Sequence, residues 1–213
     1  MEYENKELCS KCGGRCCKKG GCDYYVSDFK SIDKNTILKV LETGNVSIVS
    51  AFKYEILTNG KKVVVPILYL RARNEGKKVI DLFSMKKRCS MLTSTGCSYN
   101  LEQRPGGGVN LIPNEKGCKP LNNPLDELKK WYPYQSLLAK IVKRYTGKTV
   151  DMVLKSDIEE VFYEVLSENF DGVDKLEIAD ILECLPDLVE CYPEEYIKAK
   201  NRKNNEIKLV RNK

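Results

Sequence analysis

Ten cysteines and no histidine set the chemistry open to this 213-residue chain. Five of the ten fall between residues 9 and 22, at Cys9, Cys12, Cys16, Cys17 and Cys22. Three more follow at Cys89, Cys97 and Cys118, and two stand apart at Cys184 and Cys191. Cys9 and Cys12 form a Cys-x2-Cys pair, whose tight turn presents two thiolates to one metal ion. Gly13 and Gly14 then let backbone wrap closely around it. Adjacent side chains diverge in an extended chain, so Cys16-Cys17 suits two ions or a multinuclear cluster better than one tetrahedral ion. Cys89, Cys97 and Cys118 are candidates for the remaining ligands. Without histidine, His-based catalysis and mixed Cys/His zinc sites are excluded. Any metal is left to sulfur, oxygen or exogenous donors, and any general base to Asp, Glu, Lys, Tyr or Cys.

Composition decides between metal ligation and disulfides. At 42% hydrophobic and 31% charged residues, the chain reads as an ordinary globular protein long enough to bury a core. Such a chain has little need of disulfide stapling. Met1 to Leu8 are charged and polar, with no signal-peptide pattern, and no apolar run approaches the roughly 18 residues of a membrane span. The expectation is therefore a cytoplasmic protein with no membrane partner, where clustered cysteines bind metal. The net charge of +6 is weak support for a nucleic-acid partner, because ligation by eight thiolates to two divalent ions would lower it to about +2. Basic residues such as Lys11, Lys18, Lys86, Lys87 and Arg88 lie beside cysteines, where thiolate charge gives them a local reason to be.

The elements that must position these groups read as α+β: a Cys-rich metal-bound loop, a small antiparallel sheet and a helical C-terminal region. A short helix is expected over Ser31 to Leu41, with Gly44 as its stop. Val46 to Leu57, Val63 to Arg73 and Val79 to Phe83 read as a three-stranded antiparallel meander. Thr58-Asn59-Gly60 and Asn74-Glu75-Gly76 supply its turns. Pro66 hints at an edge or a bulge. From Asn123 onward the period is helical, interrupted at Pro133. Ser156 with Glu159 and Asp174 with Glu177 mark helix starts, and Pro186 a helix end or kink. The expected organisation is a cysteine-cluster region over 1–120, a helical region over 121–197 and a basic mobile tail over 198–213. Cys184 and Cys191, on or just past an apolar helical face, read as packing residues.

The order Cys9-x2-Cys12-Gly13-x2-Cys16-Cys17, then Cys89-Ser-Met-Leu, Gly96-Cys97-Ser98-Tyr99 and Arg104-Pro105, resembles the YkgJ-type cysteine-cluster family. That family is described as a zinc- or iron-chelating domain and is similar to the cysteine-rich part of flagellin lysine-N-methylases. The resemblance covers about residues 9 to 120. It implies metal chelation by Cys9, Cys12, Cys16, Cys17, Cys89 and Cys97. The family usually carries a further cysteine shortly after its Arg-Pro, where this chain has Gly106-Gly107-Gly108. Either Cys118 replaces that ligand or the site is altered.

Three functions follow from these residues. The leading one is a protein that chelates zinc or iron, including as an iron–sulfur cluster, through its thiolates. The second is an enzyme modifying a protein or peptide, as the methylase resemblance allows, although no methyl-donor motif is evident. The third is a nucleic-acid-binding module. Arg104, ahead of Pro105 and three glycines, is either a cofactor-binding residue beside exposed backbone N–H groups or the ion-paired arginine of a surface turn.

Overall fold

A computed structural model describes residues 11, 14, 17, 18, 22–76, 78–94, 96–112 and 118–211. The first long element, α1 (Lys34–Glu42), starts later than Ser31 because Asp33 is its cap. One carboxylate oxygen of Asp33 accepts from the backbone N–H of Asn35 at 2.9 Å and of Thr36 at 3.0 Å. Ile37 and Leu41 form its buried face. Its end is closed by a distant residue. The buried Arg73 guanidinium donates to the carbonyls of Leu41 and Val46 at 3.1 and 2.6 Å.

β1 (Val46–Ile56) and β2 (Lys62–Ala72) make a long antiparallel hairpin in continuous register, from Val46 opposite Ala72 to Ile56 opposite Lys62. The turn needs Gly60, whose φ is +79°. Pro66 does the ladder no harm. Ile48 and Leu70 face each other and turn their main-chain groups outward, to Val79 and Tyr24. By the two-residue strand period Phe52 and Pro66, also opposed, do the same, so the missing N–H would have pointed away from β1.

The third strand of the expected meander is not there. Val79 to Phe83 instead runs parallel along the far edge of β1 through a single bridge at Ile48 and Ile80. Ile48 N–H donates to Val79 O at 2.9 Å, and Asp81 N–H to Ile48 O at 3.0 Å. The Ser47 and Ser50 hydroxyls donate to the Lys78 and Leu82 carbonyls. The physical reason is that the outer edge of β2 is already taken. Cys22 O accepts from Ala72, Tyr24 N–H donates to Leu70, and the Gln135 carboxamide binds both main-chain groups of Leu68 at 2.8 Å. The N–H groups of Leu82 and Phe83 go to the Asp157 carboxylate rather than to a strand.

Short elements follow: β3 (Leu92–Thr93) with β4 (Gly96–Cys97), then the helical turn α2 (Gly106–Val109), then β5 (Leu111–Ile112) with β6 (Lys119–Pro120). The helical region comprises α3 (Pro124–Lys129), a 3-10 turn at Tyr132–Tyr134 where Pro133 interrupts the pattern, α4 (Gln135–Thr146), α5 (Val150–Leu166), α6 (Lys175–Cys191) and α7 (Pro193–Arg211). Asp174 caps α6 through Leu176 N–H, as expected. Ser156 caps nothing. Gly147 ends α4 at a φ of +70°, Thr149 caps α5 at once, and Ser156 falls mid-helix. Pro186 does not end α6, which continues to Cys191.

The basic segment expected as a tail from Lys198 is instead the continuation of α7 as far as Arg211. Phe162 on α5 meets Tyr196 edge-on, and Ala199 is fully buried. Arg202 pairs with Glu160 at 2.6 Å and lies 3.7 Å over the Tyr163 ring, whose hydroxyl donates to Glu206. The docking face is short-sided and aromatic, which a search for an aliphatic stripe overlooks. One continuous core runs from Ile37 through Ile48, Leu70, Trp131, Leu138 and Phe162 to Ala199, so sheet and helices share a single interior. Among the described residues, no helix is long and apolar enough to cross a membrane.

Candidate metal centre

The C-terminal end of β2 gathers three of the candidate ligands. Cys22 joins its outer edge, where Ala72 N–H donates to Cys22 O at 2.8 Å and Asp23 bridges Arg71. The Arg71 guanidinium holds the Asp23 carboxylate at 2.8 Å, fixing the residue next to the thiol. Cys89 arrives beyond the strand end, bridged to Asn74, and its N–H donates to Cys17 O at 2.7 Å. Cys17, Cys22 and Cys89 are all buried and form one small cluster with Ala72. Met91, Leu92 and Tyr99 pack against it. These three belong to the Cys-Ser-Met-Leu and Gly-Cys-Ser-Tyr segments of the motif, so part of that pattern is apolar walling rather than ligation.

Cys97, on β4, is half-buried and near the same group. The Tyr99 phenol is pushed above its ordinary pKa, first by burial and also by the nearby Cys89, Cys97 and Cys22. Cys118 is half-buried just before β6 and is not part of the buried cluster. Cys9, Cys12 and Cys16 lie outside the described residues. Among the described residues, no three cysteine, aspartate or glutamate side chains stand close enough to hold a metal ion.

Met91 N–H donates to Cys89 Sγ at 3.4 Å. The Ser90 hydroxyl is buried beside Cys89 and has no hydrogen-bond partner among the described residues, so a donor is left facing an environment that should contain an acceptor. The donor set is soft sulfur, which suits zinc, iron and iron–sulfur clusters. Two of the neighbouring cations pair with carboxylates. Lys87 pairs with the buried Glu177 at the start of α6, and Arg88 with Glu75 at 3.5 Å.

The three glycines after Pro105 are not an anion cradle. They form the turn α2, pressed against residues 22–28. A Cβ on Gly106 would fall 2.6 Å from the Tyr25 ring, on Gly107 2.7 Å from Asp23 O, and on Gly108 2.7 Å from Cys22 Sγ. Their N–H groups are occupied: Gly106 donates to the Asp28 carboxylate at 2.8 Å, Gly107 to Asp23 O at 2.9 Å and Gly108 to Pro105 O at 2.8 Å. Asp28 also accepts from Tyr25 N–H at 2.8 Å, clamping the two segments together. The sequence did not mark Asp28, which looks like any polar loop residue. Arg104 is half-buried at the head of this turn, its Cβ 3.9 Å from where a Gly108 Cβ would stand.

Cys184 and Cys191 pack against the main core from α6, with their thiols directed at the Ile181 and Lys62 carbonyls. Burial pushes both thiols up, which keeps them protonated and unreactive. No protein-family model, no curated protein and no solved structure matches this chain.

Proposed function

We propose that this protein binds zinc or iron through its clustered cysteines, and that the metal organises the segment around the end of β2. In this reading Cys17, Cys22 and Cys89, which do not by themselves form a three-ligand site, contribute thiolates alongside Cys9, Cys12, Cys16 and Cys97 to one site or two adjacent ones. The observation that carries this reading is the convergence of Cys17, Cys22 and Cys89 in one buried cluster despite their separation in sequence. The resemblance of the cysteine spacing to the YkgJ-type cysteine-cluster family points the same way. Four-thiolate zinc and an iron–sulfur cluster draw on the same donors. In either case the metal contributes folding free energy to a segment with few large apolar side chains.

Anaerobic purification followed by elemental analysis and an absorption spectrum tests the reading. Zinc or iron near stoichiometric amounts is expected, with visible absorption for an iron–sulfur cluster and none for zinc. Replacing Cys89 and Cys97 together by serine should lower the metal content and alter the coordination spectrum. A folded, metal-free wild-type protein overturns the proposal. Full metal retention in the double variant confines the ligands to the N-terminal cysteines.

A further inference from the structure

The distal half of β1 has an edge to which no described residue hydrogen-bonds. Val79 to Phe83 hydrogen-bonds the strand only around Ile48 and Ser50, and the Phe83 ring packs on the Phe52 ring at 4.8 Å without bonding its main chain. Beyond that, the strand period turns the main-chain groups of Phe52, Tyr54 and Ile56 outward, away from β2. No hydrogen bond from a described residue reaches them there. Ile56, at the strand end, is 74% exposed, and the adjacent Leu57 44%. An open edge of this kind is a template for another strand.

The charges on this edge select its occupant. Lys53 and Glu55 are both solvent-exposed side chains on one face, 2.7 Å apart within the strand. We propose that the edge pairs with a second copy of itself, antiparallel about Tyr54. In that register Tyr54 meets its symmetry mate and Phe52 meets Ile56 of the other copy. These are the residues whose N–H and C=O groups point outward, so both edges are satisfied together. Lys53 then stands opposite Glu55 in a close, non-hydrogen-bonded pair, and the two-fold axis repeats that pair. The neighbouring symmetric registers are disfavoured. A shift to one side sets Lys53 against Lys53, and a shift to the other sets Glu55 against Glu55. Odd shifts place the side chains on the wrong faces. Ile56 is covered by the partner's Phe52, which accounts for its exposure in the single chain. The ladder is short, well below the area of a permanent dimer, so association is weak and concentration-dependent.

Sedimentation of the full metal-loaded chain over a range of concentrations tests the pairing. The wild type should show reversible dimerisation. Lys53→Glu and Glu55→Lys, each placing like charges opposite one another twice, should weaken it about tenfold. The double variant Lys53→Glu with Glu55→Lys should restore it. A wild type that stays monomeric throughout, or four proteins that associate equally, overturns the proposal.

Discussion

The interior between the hairpin and the helices differs sharply from the end of β2. In the first, Ile48, Leu70, Leu138, Ile158 and Phe162 are wholly buried, and each element brings its own stripe to a shared core. In the second, the buried members are three cysteines and an alanine, walled by Met91, Leu92 and Tyr99. Burial stabilises in proportion to apolar area, at about 25 cal/mol per Å². The cysteine end therefore gains much less from it than the main core. It is held by backbone hydrogen bonds, by the Arg71–Asp23 pair and by glycines that allow close contact. Metal ligation would supply what its side chains lack. The two regions are thus held by different interactions, and separate substitutions should tell them apart.

The largest effect should come from the main core. Phe162→Ala removes a fully buried ring and its edge-on contact with Tyr196, and should cost about 3–5 kcal/mol in a denaturant titration. Bound metal per folded molecule should be unchanged. A fall in that ratio would mean the two regions are coupled.

Gly107→Ala strikes the other region. The new Cβ would meet Asp23 O at 2.7 Å and Asp23 N at 2.9 Å, backbone atoms that cannot swing aside. A loss of about 1–3 kcal/mol is expected, together with weaker metal retention under chelator challenge, because Asp23 adjoins Cys22. Unchanged retention would show that Cys22 is not a ligand.

Cys184→Ala sharpens the contrast between cysteine types. It should cost on the order of 1 kcal/mol of packing and leave the metal content intact. Metal loss in this variant would move the ligand set to α6.

The smallest effect lies on the seam between the regions, where Asn74 bridges Cys89 and donates to the buried Asp81 carboxylate at 2.6 Å. Burial raises the Asp81 pKa, against the opposing pull of Asn74 and Lys78. A raised carboxyl takes up its proton in the folded chain before the unfolded one. It therefore favours folding increasingly as pH falls through the raised pKa toward the unfolded value of about 3.9, and that gain is lost as pH rises. The stability of the wild type relative to Asp81→Asn should climb as pH is lowered from neutral. A decline would mean that Asp81 is held ionised in the native state.

Local signals located most of the elements. The apolar period placed the hairpin strands and the C-terminal helices. Asp174 and Pro133 marked their boundaries through effects that act within a turn. The α+β class and the packing role of Cys184 and Cys191 were legible for the same reason. Local signals failed where a second candidate sat nearby, as when Thr149 capped α5 ahead of Ser156. They failed again where the docking face was small and aromatic, as along α7.

By itself, the sequence determined which chemistry is open to this protein: thiolates without imidazole, in a chain large enough to need no disulfide staples. The tertiary structure decided which cysteines meet. Edge occupancy settled it, because a strand has only two edges and residues 22–24 together with Gln135 took the outer one of β2. Val79 to Phe83 was left to run along β1, and the chain then returned past the strand end with Cys89 beside Cys17 and Cys22. No spacing within the sequence encodes that competition, since the groups that compete for the edge are far apart along the chain and meet only when it folds.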